Sequence, residues 1–243
     1  MSHELETITD AVPGGRVRAR LMTELGLDRP TVDALLATTT VHHFPRGAAI
    51  YPQGTHRGNG FIVLAGEVSV SVVLPNGQRI LCAFYRPGSM FGFPIVESER
   101  PRLSAADAFT ATTVAVVPRR DFERIVAGLP PAMVIRFFNR VLERQARFAL
   151  RLVHCAALDL RGRLAFTLVD LAATFGSQER DGIRIDLPIT HENLAEMVGA
   201  SRERVSKAMI AFMAERLITY SRQSVTVRDR AGLEGAAMGP SPG

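Results

Sequence analysis

Glycine recurs at nearly regular intervals between Phe44 and Val117, and this spacing constrains the fold of the 243-residue chain more than any other feature of its sequence. Intervals of 12, 11 and 11 residues separate four glycines that lie at turn signals: Gly54, Gly66, Gly77 and Gly88. The segments between them are short and rich in β-branched residues, and Ser69 to Val72 alternates polar with apolar side chains as a half-buried strand does. Turns at this interval predict a β-sandwich or a jelly-roll barrel.

The pattern becomes helical after Pro118. A short helix is predicted over 119–127, because Gly128 and the Pro130-Pro131 pair cannot continue it, and a long helix should follow. Apolar residues of the long helix recur at alternating steps of four and three, with one polar residue among them. This seam consists of Val134, Phe138, Val141, Gln145, Phe148, Leu152 and Cys155. The spacing is typical of a two-stranded coiled coil, and a buried amide in it fixes the register, so the seam predicts a homodimer. A core helix that packs on its own domain is the alternative.

Residues 158–230 are predicted to form a separate, mostly helical unit that ends in strands. Leu160 to Thr174 has a helical pattern, Ile183 to Leu187 alternates as an edge strand, and Tyr220 to Val227 contains two short strands. The residues after them have little to bury, so 231–243 is predicted to be a disordered tail.

Two helix starts lie eleven residues apart within this unit, at Thr190 and Ser201, both of which are favoured N-cap residues. Gly199 is placed where a turn requires a positive φ, and Ala195 is small enough for a second helix to cross closely. Val205 would point into the core that the two helices share. These spacings predict a helix-turn-helix whose second helix begins after Ser201, followed by a wing made of the terminal strands.

The start of the second helix carries side chains that can read DNA. Arginine forms two hydrogen bonds with guanine, glutamate accepts one from cytosine, and lysine donates to guanine or to phosphate. The predicted DNA-contacting residues are Thr190, His191, Ser201, Arg202, Glu203, Arg204, Ser206 and Lys207 and, in the wing, Arg222. A salt bridge between Glu203 and Lys207 is the ordinary structural role of such a pair. The formal charge of +5 permits a nucleic-acid partner, but 158–230 is nearly neutral, so the prediction depends on the motif.

Three strings make the chain resemble the CRP/FNR family of bacterial transcription regulators over about residues 40–228: PGSMFG (87–92), LDLRGRLA (158–165) and VGASRERV (198–205). The resemblance implies an α+β protein that forms a homodimer, binds a twofold-symmetric DNA site and answers to a small molecule or a redox signal. RNA polymerase becomes a candidate partner. The expected organisation is an N-terminal arm (1–20), a jelly-roll β-roll sensor domain (21–129), a dimerisation helix (130–157), a winged helix-turn-helix domain (158–230) and the tail (231–243).

The chain departs from the cyclic AMP receptors of that family at the positions that hold their ligand. The glutamate that holds the ribose is replaced by Phe93, and the Arg-Ser pair that holds the phosphate is Arg102-Leu103. Phe148 and Ala149 stand where two hydroxyl residues meet adenine. Losing these hydrogen bonds makes cyclic AMP in the usual pose an unexpected ligand.

Other ligands remain open. The candidate ligand-binding residues are Arg86, Gly92, Phe93, Arg100, Arg102 and Phe148. The three arginines suit the phosphates of a cyclic dinucleotide such as cyclic di-GMP, although arginines of a solvated loop are the simpler interpretation. A β-roll that needs no ligand and only supports the DNA-binding domain is the third alternative.

Several other classes of function are excluded or left without support. Only two cysteines, Cys82 and Cys155, are present, which excludes a disulfide framework and four-cysteine zinc or iron-sulfur sites within one chain. Haem binding stays open, with four candidate histidines: His42, His43, His56 and His154. An H-x-H pattern is absent, which argues against a cupin-like enzyme, so no catalytic or metal-binding residue is predicted. The acidic N-terminus and the lack of a long apolar run predict a cytoplasmic protein with no membrane partner.

Overall fold

A computed structural model describes residues 14–55, 58–92, 101–221 and 223–238 of the chain, without the side chains of residues 152 and 238. The chain forms two compact units, one that ends at Gln145 and one that starts at Ala146. The described helices and strands are mixed along the chain and every described strand pairing is antiparallel, which confirms the predicted α+β class.

The first unit is built from two four-stranded sheets and the helices around them. Its helices are α1 (Gly15–Leu25), α2 (Arg29–Ala37), α3 (Arg119–Ala127) and the first part of α4 (Pro131–Ala157). Its strands are β1 (Thr40–Phe44), β2 (Ala49–Tyr51), β3 (Asn59–Ala65), β4 (Val68–Val73), β5 (Arg79–Tyr85), β6 (Met90–Phe91), β7 (Ala105–Ala108) and β8 (Thr112–Pro118). The strand orders are β1-β8-β3-β6 and β2-β7-β4-β5, as in the predicted sandwich-like β-roll.

Two of the regularly spaced glycines show why the spacing predicted turns. Gly66, between β3 and β4, has a φ of 72°, and a Cβ atom there would collide with the backbone oxygen of Ala111. Gly77 has a φ of 83° and closes the β4–β5 hairpin, where its N–H donates to the oxygen of Leu74 at 2.9 Å. Because side chains are disfavoured at both places, glycine determines where these strands turn.

Strand β4 differs from the prediction of a half-buried strand. Ser69 and Ser71 are buried along with their apolar neighbours, at 3% and 1% exposure. Their hydroxyl groups find partners inside the sheet, because Arg79 Nε donates to Ser71 Oγ at 3.0 Å and Ser69 Oγ donates to the Asp107 backbone oxygen at 3.4 Å. The prediction that alternating polar and apolar residues make β4 a half-buried strand is therefore wrong at Ser69 and Ser71.

The predicted N-terminal arm also needs correction. Helix α1 starts at Gly15, so the expected boundary at residue 21 falls inside a helix. Leu21 and Leu25 of α1 are buried in a cluster with apolar side chains from β3, α3 and α4, including Ile62, Phe122 and Phe137. Residues 15–20 thus belong to a helix of the folded unit, and residues 1–13 lie outside the described part of the chain.

The second unit contains the end of α4, four more helices and a third antiparallel sheet. These elements are α5 (Leu160–Phe175), β9 (Gly176–Glu179), β10 (Gly182–Ile185), α6 (His191–Val198), α7 (Arg202–Ala214), β11 (Ile218–Ser221), β12 (Ser224–Val227) and α8 (Arg230–Met238). The sheet order is β11-β12-β10-β9. Strand β10, predicted at an edge, instead lies between two strands, because the polar segment 176–179 pairs with it as β9.

The prediction of a disordered tail is wrong for residues 231–238. Helix α8 occupies them, and Leu233 is fully buried where α8 packs against α5. Asp229 accepts a hydrogen bond from the N–H of Gly232 at 2.9 Å, and Arg230 pairs with Glu234 at 2.7 Å. One buried leucine and a capped first turn hold a segment whose composition alone predicted disorder. Residues 239–243 lie outside the described part.

Among the residues that the structure describes, no helix combines the length and the apolar character that a membrane span requires. The same residues contain no group of three or more histidine, cysteine, aspartate or glutamate side chains that could hold a metal ion.

Candidate nucleic-acid interface

Helix α6 begins where the sequence predicts, after Thr190. The Thr190 hydroxyl accepts a hydrogen bond from the N–H of Asn193 at 3.2 Å, and the Asn193 side-chain oxygen accepts one from the N–H of Thr190 at 3.1 Å. This reciprocal cap satisfies backbone donors that a helix start leaves open. Thr190 therefore has a structural role, and its contact with DNA stays a prediction.

The turn between α6 and α7 also follows the prediction. Gly199 ends α6 with a φ of 64°, and its N–H donates to the oxygen of Ala195. Ser201 begins α7, where its hydroxyl accepts from the N–H of Arg204 at 3.4 Å. The inner faces of the two helices are buried: Leu194, Ala195 and Val198 on α6, and Val205, Met209 and Phe212 on α7. The predicted helix-turn-helix is therefore present.

The opposite face of α7 is open to solvent. Ser201, Arg202, Glu203, Arg204 and Lys207 are all exposed. Lys207 Nζ lies 2.8 Å from Glu203 Oε1, and both side chains are about three-quarters exposed, at 75% and 77%. An exposed pair of this spacing contributes only about 0.3–0.5 kcal/mol, so both side chains can turn toward another partner at little cost.

His191 and Ser206 are placed differently from the other predicted contacts. Both are half-buried, and His191 Nδ1 lies 2.8 Å from Ser206 Oγ, which joins the first turn of α6 to α7. The imidazole also lies 4.6 Å from the ring of Tyr220 in β11, measured between centroids. Burial lowers the pKa of His191 below its usual 6.5, and the nearby Arg202 guanidinium lowers it further. The ring is thus held neutral at neutral pH.

Strands β11 and β12 form the hairpin that the sequence predicted as a wing. Its turn contains Gln223, which has a φ of 65°. Arg222, the predicted phosphate contact, lies outside the described residues, so its role stays a prediction. Ile210, which was not among the predicted contacts, is a 60% exposed residue of α7 that follows Glu203 and Lys207 along the open face at helical spacing.

Comparisons with known proteins agree with this geometry. A Crp-like helix-turn-helix domain matches residues 162–236, and a cyclic nucleotide-binding domain matches residues 41–128. A CRP-like cAMP-activated global transcriptional regulator of Mycobacterium tuberculosis is 30% identical over 205 residues, which cover 84% of this chain and 91% of that protein. The chain belongs to the CRP/FNR family of transcription regulators. The prediction of a DNA-binding regulator and not an enzyme is thereby confirmed.

Solved CRP-family structures have the same fold. A transcriptional regulator of the CRP family from Thermus thermophilus matches with a TM-score of 0.65 and 27% identity, covering 81% of this chain and 96% of that one. The c-di-GMP responsive global regulator CLP of Xanthomonas campestris matches with a TM-score of 0.68 over 82% of this chain and 99% of that one, at 20% identity. The second likeness concerns the fold alone.

Arg102 of this CRP/FNR-family chain points into the β-roll. Its side chain is buried, at 7% exposure, and its guanidinium donates to the backbone oxygens of Asn59 at 2.5 Å and Gly92 at 3.4 Å. The guanidinium carbon lies 4.1 Å from the centroid of the Tyr51 ring. Protein groups therefore surround the guanidinium of the arginine that was predicted to meet a phosphate, and that role stays a prediction.

The other predicted ligand residues that the structure describes have neighbours of their own. Arg86 is half-buried, and this burial is the main cause that lowers the pKa of its guanidinium. Repulsion from Arg20 of α1 lowers the pKa further, and attraction to Glu24 raises it. Arg86 thus lies beside α1, whereas Arg102 lies against Tyr51. Phe93 and Arg100 fall outside the described residues, and Gly92 has a φ of 62°. A phosphate site shared by the three arginines therefore stays a prediction.

The predicted dimerisation residues lie along α4. Val134 and Val141 are half-buried, and Val141 packs on the first unit's core. Phe138 and Phe148 are each 45% exposed, and Gln145 and Cys155 are exposed. The side chain of Leu152 is not described. Further exposed apolar residues that the sequence analysis did not include are Ile135, Leu142, Leu150 and Val153. Much of the apolar surface of α4 thus stays uncovered in a single chain.

The candidate haem histidines have other neighbours. His42 Nε2 lies 3.1 Å from Thr40 Oγ1, and His43 Nδ1 lies 2.8 Å from Thr113 Oγ1 on the partner strand. His154 packs 4.0 Å from the ring of Phe166, and His56 lies outside the described residues.

Proposed function

We propose that this CRP/FNR-family regulator is a homodimer that uses α7 to read an inverted repeat, with half-sites about one helical turn apart and a GTG-like core in each. The observation that carries the proposal is the open face of α7. Arg202, Glu203 and Lys207 project from the capped start of a helix whose opposite face is buried against α6. Base-reading helices present their N-terminal residues to the major groove in this way.

Each of the three side chains has a base that suits its chemistry. Arg202 would form two hydrogen bonds with the first guanine of the half-site, and Lys207 would donate to the second guanine. Glu203 would accept from the N4 amino group of the cytosine opposite that second guanine. The Glu203–Lys207 ion pair places the two side chains on adjacent turns, so both can reach a single base pair.

The homodimer is supported by the exposed apolar residues of α4. A twofold dimer uses the same surface of both chains, and a helix with a four-three apolar spacing buries that surface against its copy. Two copies would place two α7 helices on one face of the DNA, which requires an inverted repeat. RNA polymerase as a further partner rests on the family resemblance alone.

A selection of bound duplexes from a random pool, with the full-length protein, tests this proposal. The expected result is an inverted repeat with GTG-like half-sites, bound by two chains in sedimentation experiments at micromolar concentration. A selected pool without twofold symmetry, or a protein that remains monomeric on its selected site, would refute it.

We also propose that cyclic AMP in the usual pose does not control DNA binding, although the first unit matches the cyclic nucleotide-binding domain. Two described residues and the type of a third support the proposal. The Arg102 guanidinium already donates hydrogen bonds to the backbone oxygens of Asn59 and Gly92. Leu103, which stands where the Arg-Ser pair of the cyclic AMP receptors has its hydroxyl, is 70% exposed. Phe148 offers adenine no hydrogen bond. Each unmade hydrogen bond costs the ligand about 0.5–3 kcal/mol.

A cyclic dinucleotide is the second candidate ligand. The observation that favours it is the half-buried Arg86, which lies next to a second arginine, Arg20 of α1. Calorimetric titration of the purified protein with cyclic AMP, cyclic GMP and cyclic di-GMP separates the possibilities. Binding of cyclic di-GMP that is lost in Arg86→Ala supports this candidate. Micromolar binding of cyclic AMP that also tightens DNA binding would overturn the preceding proposal, and no binding at all favours a ligand-independent dimer.

A further inference from the structure

The imidazole of His191 contacts both other elements of the proposed DNA-binding surface. His191 is the first residue of α6, and its Nδ1 atom lies 2.8 Å from Ser206 Oγ, one turn after Arg202 on α7. The ring centroid also lies 4.6 Å from that of Tyr220 in wing strand β11, at an interplanar angle of 32°. A single side chain thus connects the reading helix to the wing.

The remaining ring nitrogen determines the protonation state. Nε2 is buried, and no described residue gives it a hydrogen-bond partner. If Nε2 carried the proton, an N–H donor would be buried without an acceptor, which is more costly than a buried lone pair. The proton therefore belongs on Nδ1, which donates to the Ser206 hydroxyl oxygen. A second proton on Nε2 would create the same buried N–H donor for which no described residue supplies an acceptor.

We propose that His191 is a positioning residue, whose neutral imidazole holds Ser206 of the reading helix and Tyr220 of the wing at the spacing that DNA binding requires. The inference rests on the proposed use of α7 and the wing to contact DNA. It differs from the role predicted from the sequence, in which His191 itself contacts DNA, for example through a phosphate. A phosphate contact uses an exposed donor, whereas both ring nitrogens of His191 are engaged or buried.

The surrounding charges also favour a neutral ring. Arg202 is the charged group of α7 beside it, Tyr220 is the titratable group of β11, and Glu192 follows it on α6. Burial and Arg202 both lower the His191 pKa from its usual 6.5. Protonation is therefore disfavoured while the ring keeps this environment and would weaken the connection to α7 and β11. The connection is complete above pH 6.5 and is lost as the pH falls below the lowered pKa.

Salt dependence distinguishes a positioning role from a phosphate contact. The affinity of His191→Ala for the duplex that the wild-type protein selects should be about 5-fold to 30-fold weaker, from the loss of one hydrogen bond and one ring contact. The slope of log affinity against log salt concentration should equal that of the wild type. A slope reduced in magnitude by about one is the mark of a lost phosphate contact and would overturn the proposal.

Two conservative variants test the two halves of the connection. His191→Asn keeps a donor near the position of Nδ1 but lacks the ring, and His191→Phe keeps a ring against Tyr220 but lacks the donor. Each should recover part of the affinity that His191→Ala loses. Recovery by neither variant, while thermal unfolding shows that both are folded, would contradict the proposal.

The pH dependence provides an independent arm. Affinities of wild type and His191→Phe are measured at pH 7.5 and 5.5, with His42→Asn on strand β1 as a control for other histidines. The ratio of wild-type to variant affinity should fall as the pH falls, because protonation removes the advantage of the histidine. A ratio that rises would indicate a protonated histidine bound to phosphate. If the wild-type protein selects no inverted repeat, the proposed function is refuted and not the role of His191. The salt slopes of wild type and His191→Ala on a random duplex then still distinguish a positioning role from a phosphate contact.

Discussion

Replacing Glu203 with alanine should relax the base preference at one position of each half-site and leave the fold intact. Glu203 is in the first turn of α7, its side chain is 77% exposed, and its carboxylate pairs with Lys207 at 2.8 Å. In the proposed complex this carboxylate accepts a hydrogen bond from a cytosine. The substitution therefore removes one base contact and one surface ion pair.

The two losses differ in size. An exposed i,i+4 ion pair contributes about 0.3–0.5 kcal/mol, and its loss also releases Lys207 for guanine or phosphate. A specific base contact contributes about 1–3 kcal/mol of discrimination, which corresponds to roughly 5-fold to 150-fold in relative affinity. Because the base contact contributes more free energy than the ion pair, the change should appear in specificity and not in stability.

Competition binding measures the effect directly. Wild type and Glu203→Ala are compared on the selected duplex and on duplexes changed at the second base pair of the GTG-like core. Glu234→Ala is the matched control, because Glu234 pairs with Arg230 at the same i,i+4 spacing on α8 of the same unit. The wild type and the control should discriminate among the duplexes, and Glu203→Ala should not. Unchanged discrimination by Glu203→Ala, or an equal loss in the control, would refute the assignment of this base contact.

Three further predictions concern assembly, the last helix and acid stability. Phe148→Glu should abolish the dimer and specific DNA binding together, since it places two like charges at the predicted seam. Leu150→Glu lies off the seam by heptad spacing and should stay dimeric in sedimentation, whereas the reverse result would show that a different face of α4 forms the dimer. Leu233→Ala should lower the free energy of unfolding by about 2–5 kcal/mol in denaturant titrations, because the Leu233 side chain is fully buried. A change below the error of the measurement would show that α8 does not pack on the folded unit. Hydrogen bonds from Thr31 lower the pKa of Asp28, so wild type should be more stable than Asp28→Ala at pH 7. In thermal unfolding this difference should shrink as the pH falls through the lowered pKa, and a difference that grows in acid would exclude the helix cap as its source.

The elements that the sequence predicted well are those determined by local chemistry. Helix α3 has the predicted bounds, 119–127, because proline and glycine end it on either side. Helices α6 and α7 begin after Thr190 and Ser201, because an N-cap hydroxyl needs only the backbone three residues further on. Local signals of this kind do not depend on the rest of the fold, so a single sequence contains them in full.

The elements that were missed depend on residues far along the chain. The segment 176–179 has no apolar pattern, and it becomes β9 because β10 offers it an open edge. Helix α8 packs against α5, and its Leu233 is fully buried there. The connection from His191 to Ser206 and Tyr220 joins three elements, and no spacing rule for one helix contains it. Helix α2 is different, because Asp28 followed by Pro30 is a local signal of a helix start, although no helix was predicted there.

Arg102 shows why residue identity predicts the DNA-binding unit better than the ligand. An arginine on the open face of α7 keeps its donors available, so its type largely determines what it can bind. Arg102 is of the same type and was predicted to meet a phosphate, yet its guanidinium is buried against the oxygens of Asn59 and Gly92 and the ring of Tyr51. A phosphate would have to replace these partners, and the cost of leaving their oxygens unpaired would oppose the ligand. The function of a buried charged residue is therefore determined by the groups around it, which a single sequence does not identify.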